Sequence, residues 1–445
     1  MGGPPASQTA PPPAPARARG SRVVVTGLGM VSPLGPDVAR SFAAALAGRS
    51  AVRAAPAQLA AGLPGMLAAP SAVEPASLLD AADAGLDRAT QLALAAAMQA
   101  LGEAGIAPAP DDAGRFGVFC GIGFGGACTL DAMYTRYVGH SLGDAAARRR
   151  AAVMHPLTVP RLMANAAQGL VSMRHGLRGM GNTYCVACAS SAIAAGEALR
   201  AIRDGYLDAA VVLGSEAMLT PGSMVAWNAL RVLARVDAAD PAASCRPFDR
   251  RRSGFVLGEA GAALVLESES RARSRGAREL AELAGYGASS DAHHLTAPSV
   301  PGQVAAMRQA LAHAGVAPDE VGYVNAHGTA TELGDLTEAQ AIAEVFGPRG
   351  PAVSSTKAVH GHLIGAGGAA ELILAIQALR TGRLPPTANL EQPDPRCAGL
   401  DLIAGAARDA AGIQAVMSNS FAFGGSNACL VARRGAAQAP AADAA

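Results

Sequence analysis

The sequence predicts a layered α/β fold in which strands alternate with helices. Short β-branched runs recur along the chain and several end at glycine, the pattern of buried strands that close in tight turns. Helix-length stretches separate these runs, and such alternation is typical of parallel βαβ units covered on both faces. The composition agrees, because half of the 445 residues are hydrophobic, 16% are charged and 52 are glycine.

Each predicted element follows from this alternation. The first strand breaks at Gly27 and Gly29, the second ends at Gly121, and the third ends at Gly214. The predicted strands are 22–28, 115–120, 209–213, 262–266, 321–325 and 352–355. The predicted helices between and after them are 89–104, 190–203, 301–314, 335–345 and 367–380.

A charged, turn-rich segment at 268–278 divides the chain into two parts, each of which opens with a strand. We therefore predict two halves of like construction, residues 22–273 and 274–434. Residues 1–21 and 435–445 consist mostly of small residues and proline, and this composition predicts disordered tails.

Charge and cysteine content exclude several classes of function. A formal charge of +1 gives no reason to expect nucleic acid or a membrane surface as a partner. The longest apolar stretches fall short of the roughly 20 residues that a spanning helix requires, so we expect no membrane span. Seven thinly spread cysteines, with no secretion signal in the sequence, argue against a disulfide framework. We expect a cytoplasmic protein.

Cys188 lies just before the predicted helix 190–203, in a run of small residues. The N–H groups and the dipole of a helix N-terminus favour a thiolate and can hold an oxyanion. The alternatives are a buried structural cysteine or a redox pair with Cys185. Alanine and serine around Cys188 leave room for a substrate, which favours a nucleophile.

Two histidines far downstream, His327 and His362, each follow a predicted strand and lie beside glycine. Polar groups at the carboxyl ends of parallel strands are typical of binding sites. One thiol with two imidazoles indicates acyl transfer at a site between the halves. His360 also forms a His-x-His pair that can bind a metal, but no third ligand is evident and we expect no metal site.

Charged and aromatic residues nearby suggest supporting roles. Lys357 and Glu371 can form a buried ion pair that orients the imidazole, or remain two solvated charges. The run 418–427 contains Phe421 and Phe423 before paired glycines, which suits a hinge that offers backbone N–H groups and moves an aromatic ring across a pocket.

Six motifs in order make the chain resemble the elongating class of β-ketoacyl-acyl-carrier-protein synthases, which are thiolase-fold condensing enzymes of fatty acid and polyketide synthesis. The resemblance runs from about residue 23 to 433. Its motifs are 25–35, the Cys188 turn, 246–249 with 254–259, 325–331, 355–357 through 361–363, and 421–427.

The resemblance implies two pseudo-symmetric βαβαβαββ halves in five layers, α-β-α-β-α, that assemble as a dimer. It implies that Cys188 accepts an acyl chain from an acyl carrier protein and that the N–H groups of Cys188 and Phe423 form the oxyanion hole. His327 and His362 would support decarboxylation of malonyl carrier protein, giving a 3-oxoacyl thioester, carbon dioxide and free carrier. No cofactor is implied.

Further roles follow from the same resemblance. Lys357 and Glu371 would order the histidines, and Phe423 would act as a gate supported by Phe421. The predicted substrate-binding residues are Thr329, Thr331, Gly424 and Gly425, of which the threonines would hydrogen-bond the phosphopantetheine arm. The Cys-His-His pattern differs from the Cys-His-Asn pattern of initiating synthases.

Two features depart from the family pattern. Ala422 stands where glycine is usual, and Asp80, Asp83 and Asp87 replace an expected basic patch that faces the carrier protein. Besides a homodimeric synthase, two other functional interpretations stay open. One is a ketosynthase of a specialised polyketide or polyene pathway that pairs with a chain-length factor, and the other is a non-catalytic scaffold partner.

Overall fold

The computed structural model describes residues 22–348 and 350–435. The predicted tail 1–21 lies outside the described residues, as does the predicted tail 435–445 apart from Gly435. The strands are β1 Val23–Val31, β2 Arg53–Ala54, β3 Leu67–Ala69, β4 Phe116–Ile122, β5 Gly181–Tyr184, β6 Ala209–Glu216, β7 Leu257–Gly258, β8 Ala260–Ser268, β9 Ala281–Ser290, β10 Val321–Asn325, β11 Ala352–Ser354, β12 Arg383–Leu384, β13 Asp401–Leu402, β14 Arg408–Asp409, β15 Ala415–Ala422 and β16 Ser426–Arg433.

Helices connect most of these strands. They are α1 Val38–Leu46, α2 Ala57–Ala60, α3 Arg88–Glu103, α4 Ala127–Ser141, α5 Ala145–Ala151, α6 Thr158–Leu162, α7 Ala166–His175, α8 Ser190–Arg203, α9 Pro221–Ala229, α10 Glu269–Ser274, α11 Val300–Ala314, α12 Glu332–Phe346, α13 Lys357–His360 and α14 Gly367–Thr381. Among the described residues, none of these helices is long and apolar enough to cross a membrane.

The predicted strands and helices are all present within a few residues of their predicted ends. The remaining strands were not predicted, among them β5, β9, β15 and β16, and the last two occupy most of the run interpreted above as a hinge loop. These strands contain much alanine, glycine, serine and asparagine, which have low strand propensity. Burial between neighbouring strands outweighs that propensity in β9, β15 and β16, whereas β5 is an edge strand that pairs only with β4.

The longer strands form two half-sheets that touch at one seam. Across the described residues the strand order is β13-β11-β10-β15-β16-β9-β1-β8-β6-β4-β5. The halves meet where β1 pairs with β9, through only Val24 with Glu282 and Val25 with Ala281. The predicted parallel pairing holds at the outer strands, such as β4 with β6, but is wrong at the centre, where β1 pairs antiparallel with β8. The short connection between β15 and β16 likewise requires an antiparallel hairpin.

Helices α8 and α14 lie between the half-sheets, while α3 covers the first half-sheet and α11 covers the second. The five layers implied by the resemblance are therefore present. Helix α14 is buried around most of its circumference, as expected for a helix in a central layer. Gly368 makes the contact between α8 and α14 possible, because a Cβ atom there would lie 2.6 Å from the backbone nitrogen of Ala192. This contact brings the starts of the two helices together.

Candidate active site

Cys188 occupies a strained turn between β5 and α8. It lies in a 3-10 turn, Ala187–Ala189, and Ala187 has a left-handed backbone with φ of 44°. The Ser190 hydroxyl donates to the Ala187 carbonyl at 2.7 Å and accepts the Val186 N–H at 2.8 Å, so it holds the turn closed. Cys188 is only 6% exposed, and its thiol lies at the floor of a cavity.

His362 faces this thiol from the second half of the chain. Its Nε2 atom lies 3.0 Å from Sγ of Cys188. Its Nδ1 atom accepts the backbone N–H of Ile364 at 3.3 Å, which assigns the proton of the neutral imidazole to Nε2. Ile364 reaches this position with a left-handed φ of 45°. Local strain therefore lies on both sides of the contact between thiol and imidazole.

His327 completes a cluster of three side chains. Its ring lies edge-on to that of His362, with centroids 5.4 Å apart. Glu338 on α12 fixes the turn, because its carboxylate accepts the N–H groups of His327 and Gly328 at 2.8 and 2.7 Å. Within the described residues Nδ1 of His327 has no hydrogen-bond partner. The sequence-predicted cysteine and both histidines thus converge.

Burial sets the protonation of this cluster. Burial and the nearby Lys357 charge hold the pKa values of His327 and His362 well below the usual range for histidine, so both imidazoles are neutral. Burial raises the pKa of the Cys188 thiol to about 12, although Lys357 and the Phe423 N–H act in the opposite direction. Contrary to the helix-terminus expectation, burial dominates and the resting group is a thiol.

Lys357 and Glu371 form the buried ion pair considered above. Nζ of Lys357 lies 2.5 Å from Oε1 of Glu371, and both side chains are 1% exposed. Burial raises the pKa of Glu371 to about 7, and the Lys357 ammonium opposes that shift. The reading as two solvated charges is therefore wrong.

The hairpin between β15 and β16 places Phe423 over the site. The backbone N–H of Phe423 acts to lower the pKa of the Cys188 thiol, and Phe421 lies edge-on to His327 with centroids 6.0 Å apart. Gly424 and Gly425 form the turn with φ of 87° and 74°, a conformation that favours glycine. Ala422 lies at the end of β15 with ordinary φ, so the turn needs no glycine there.

A series of ring contacts that was not predicted from the sequence connects Phe423 with His362. The Trp227 ring stacks on Phe423 at 6.3 Å and lies edge-on to Phe255 at 5.6 Å. Phe255 in turn lies edge-on to His362 at 5.1 Å. The only available signal was that Trp227 is the single tryptophan of the chain.

The segment after β9, residues 291–295, is hydrogen-bonded to the outside of the hairpin formed by β15 and β16, called the gate hairpin below, and it was not predicted from the sequence. The backbone N–H of Asp291 donates to the Gly425 carbonyl at 2.8 Å, and the Gly424 N–H donates to the Leu295 carbonyl at 2.7 Å. The Asn427 amide donates to Oδ1 of Asp291 at 2.7 Å. These bonds hold in place the hairpin that carries Phe423.

A cavity of about 160 Å³ leads from the surface to the thiol. Cys188 lines its buried end, whereas Leu295 and Leu333 line it and are 72% and 51% exposed. Thr329 and Thr331 also line it, with their hydroxyl oxygens 2.9 Å apart. Of the predicted glycines, Gly425 lines the cavity, whereas Gly424 does not.

A second cavity of about 420 Å³ lies beyond Phe423. It lies between α4 and α9, and Trp227, which stacks on Phe423, is part of its wall. Mostly apolar side chains line it, including Ala127, Leu130 and Met218. The two cavities thus meet at the pair formed by Phe423 and Trp227.

His360 points away from the cluster. Its Nδ1 atom bonds the Gly361 carbonyl at 2.7 Å and its Nε2 atom bonds the Thr356 hydroxyl at 3.0 Å, which leaves neither nitrogen for a metal. A metal could instead use Cys188, His327 and His362, whose ligand atoms all lie within 4.8 Å of one another. An ion there would occupy the sulfur that an acyl group needs.

Two of the three acids that depart from the family pattern serve the fold. Asp83 pairs with Arg174 at 2.6 Å and is buried. Asp87 caps α3 by accepting the Ala89 N–H at 2.9 Å. Only Asp80 is strongly exposed, with 81% of its side chain accessible. This surface is therefore less acidic than the sequence indicates.

Comparison with known proteins adds to this geometry. Residues 20–272 match the model of the β-ketoacyl synthase N-terminal domain, and residues 280–391 match that of the C-terminal domain. The 3-oxoacyl-acyl-carrier-protein synthase 2 of Coxiella burnetii is 38% identical over 419 residues, 93% of this chain and 98% of that protein. Nodulation protein E of a Rhizobium species is 40% identical over 416 residues, 93% of this chain and 99% of that protein.

Solved structures are similar over the same extent. A β-ketoacyl synthase from Burkholderia phymatum superposes with a TM-score of 0.84 at 35% identity, covering 93% of this chain and all of that one. The ishigamide ketosynthase/chain length factor superposes with a TM-score of 0.82 at 32% identity, covering 94% of this chain and all of that one.

Proposed function

The chain belongs to the β-ketoacyl synthase family, and from that premise we propose that it condenses a Cys188-bound acyl chain with malonyl carrier protein. It is an acyltransferase whose products are 3-oxoacyl carrier protein, carbon dioxide and free carrier. The contact of 3.0 Å between His362 Nε2 and Cys188 Sγ carries this proposal, because it unites nucleophile and imidazole from opposite halves.

In the first half-reaction, Sγ of Cys188 attacks the thioester carbonyl of an acyl carrier protein. The carbon–sulfur bond to the carrier breaks, and the thiol proton ends on the departing carrier thiol. The N–H groups of Cys188 and Phe423 suit an oxyanion hole, since the Phe423 N–H already favours negative charge on the sulfur by acting to lower the Cys188 pKa. Phe423 must yield for the acyl chain to enter the second cavity.

In the second half-reaction, malonyl carrier protein loses carbon dioxide to give an enolate. The neutral His362 carries its proton on Nε2 and can donate it as a hydrogen bond to the thioester oxygen; His327 lies close enough to share that role. The enolate carbon attacks the acyl-Cys188 carbonyl and expels the Cys188 thiolate, which takes up a proton from solvent. We propose that the ion pair between Lys357 and Glu371 helps to keep the imidazoles of His327 and His362 neutral.

Intact mass spectrometry tests the proposal. The protein is incubated with an acyl carrier protein bearing a medium-length chain and then with malonyl carrier protein. We expect acyl mass on Cys188 and then a 3-oxoacyl carrier two carbons longer. An unmodified Cys188 in every pairing, including co-expression with candidate partner subunits, would support the scaffold role instead.

A specialised ketosynthase that pairs with a chain-length factor is the second candidate. The similarity to the ishigamide ketosynthase/chain length factor favours it. So do apolar side chains exposed around α4, such as Phe124, Tyr134 and Leu142, which suit a partner subunit. We propose a homodimer for the first candidate and a heterodimer for the second, and native mass spectrometry after co-expression separates them.

Two further assignments belong to this proposal. We divide the chain into an N-terminal half, 22–273, that carries Cys188, and a C-terminal half, 274–434, that carries His327 and His362. We also assign the protein to the cytoplasm. All seven cysteines are free, which supports a reducing compartment.

A further inference from the structure

A buried glutamine faces the cavity that leads to the nucleophile. Gln303 lies in the first turn of α11 and is 1% exposed, yet it is one of the residues that line this cavity. Its Oε1 atom has no hydrogen-bond partner among the described residues. A buried acceptor left unpaired is unfavourable, so a ligand that donates a hydrogen bond there gains affinity.

The backbone around Gln303 is tightly held. A Cβ atom at the preceding Gly302 would lie 1.9 Å from Oδ1 of Asp291 and 2.9 Å from Nδ2 of Asn427. The Gly302 carbonyl also accepts the Ser289 hydroxyl at 2.6 Å. The start of α11 is thus packed against the same bonds that fasten the gate hairpin, and Gln303 is presented to the cavity from a rigid position.

The chemistry of the cavity identifies the donor. Carrier-protein substrates reach the thiol through a phosphopantetheine arm, which contains two amide N–H groups and is otherwise a chain of methylene, hydroxyl and carbonyl groups. Thr329 and Thr331 line the same cavity and bond each other at 2.9 Å, and Gln303 adds an amide acceptor that has no partner among the described residues. Resting on the function proposed above, we propose that Oε1 of Gln303 accepts an amide N–H of the phosphopantetheine arm.

The test uses alkylation of Cys188, which requires no condensation. The reagents are a haloacetamide carried on pantetheine and two analogues in which one or the other amide N–H is replaced by an ester oxygen. Rates with each are divided by the rate with iodoacetamide, which removes differences in thiol reactivity. In the unaltered enzyme we expect one ester analogue to react about five- to tenfold more slowly than the amide reagent, the range of one hydrogen bond.

The variant Gln303→Leu should show the same five- to tenfold loss with the amide reagent and no further loss with that ester analogue. Gln309→Leu, an exposed position on the same helix, is the matched control and should behave as the unaltered enzyme. Equal rates for all three reagents in the unaltered enzyme would overturn the inference. It would also be overturned if Gln303→Leu reacted still more slowly with that ester analogue than with the amide reagent. Because alkylation is independent of carbon–carbon bond formation, a protein that shows this pattern but does not condense contradicts only the proposed function.

Discussion

The Nε2 atom of His362 lies 3.0 Å from Sγ of Cys188, although 174 residues separate them in the chain. The contact depends on two central helices, since α8 begins just after Cys188 and α14 begins shortly after His362. Gly368 lets these helices touch. Because Nδ1 of His362 accepts the Ile364 N–H, the imidazole presents Nε2–H to the sulfur and to any thioester oxygen that binds beside it.

This geometry predicts that His362→Ala impairs malonyl decarboxylation more than acyl transfer to Cys188. Loss of a donor aimed at a developing oxyanion typically costs about 10² to 10³ in rate. Release of carbon dioxide from malonyl carrier protein and acylation of Cys188 are measured separately. His293→Ala, at an exposed loop position, is the control. An unchanged decarboxylation rate would remove His362 from this role.

The two cysteines of the Cys-x-x-Cys run should behave differently. Cys188 lies beside His362, whereas Cys185 is exposed on the other side of the turn. We expect Cys188→Ala to abolish condensation and Cys185→Ala to retain most of it, as followed by 3-oxoacyl product formation. Equal loss in both variants would indicate that the pair acts together as a redox unit.

The residues that converge at the candidate site were predictable from the sequence where they lie in short local runs. Cys188, His327 and His362 each lie in a small-residue or glycine-flanked turn, and their order along the chain resembles one family. Trp227 and Gln303 carry no such local mark. Their relation to the thiol exists only because α9 and α11 pack around the gate hairpin.

The fold shows the same difference between elements that have a local sequence signal and elements that depend on long-range contacts. Strands such as β4 and β6 were predictable because each contains a short run of branched or aromatic residues followed by a glycine. Strand β9, which joins the half-sheets, contains mostly small residues and has no such signal. Its strand conformation comes from pairing with β16 along nearly its whole length, a long-range contact that local propensity does not encode.

The pH dependence of the two half-reactions should differ. The Cys188 pKa is raised to about 12, so the thiolate fraction rises about tenfold per pH unit between pH 6 and 9, and alkylation by iodoacetamide should follow it. The pKa values of both histidines are lowered well below 6.5, so their neutral forms persist and decarboxylation should stay flat from about pH 5.5 to 8. A break in decarboxylation near pH 6.5 would contradict neutral imidazoles.

Because Trp227 stacks on Phe423, movement of the Phe423 ring should change the fluorescence of Trp227. Trp227 is the single tryptophan, so a change in its emission reports its own surroundings. We expect an acyl carrier protein to shift the emission as Phe423 moves, and Phe423→Ala to remove that shift. Phe346→Leu, in a separate core cluster, serves as the control. A shift that persists in Phe423→Ala would show that the emission change does not come from movement of the Phe423 ring.

Substitutions of Lys357 and Glu371 should have strongly coupled effects on the free energy of unfolding. Removing one member of a buried pair leaves an unpaired charge, which typically costs about 3 to 5 kcal/mol. We therefore expect Lys357→Met to lower the free energy of unfolding by about that much, and the double variant Lys357→Met with Glu371→Leu to recover most of it in urea titrations.

The same double variant separates stability from chemistry. Without the Lys357 charge, which lowers the pKa values of His327 and His362, both values should rise. Protonated imidazole then accumulates as the pH falls, so decarboxylation should lose its flat profile and decline on the acid side. A double variant that is stable and keeps the flat profile would limit Lys357 and Glu371 to holding the fold.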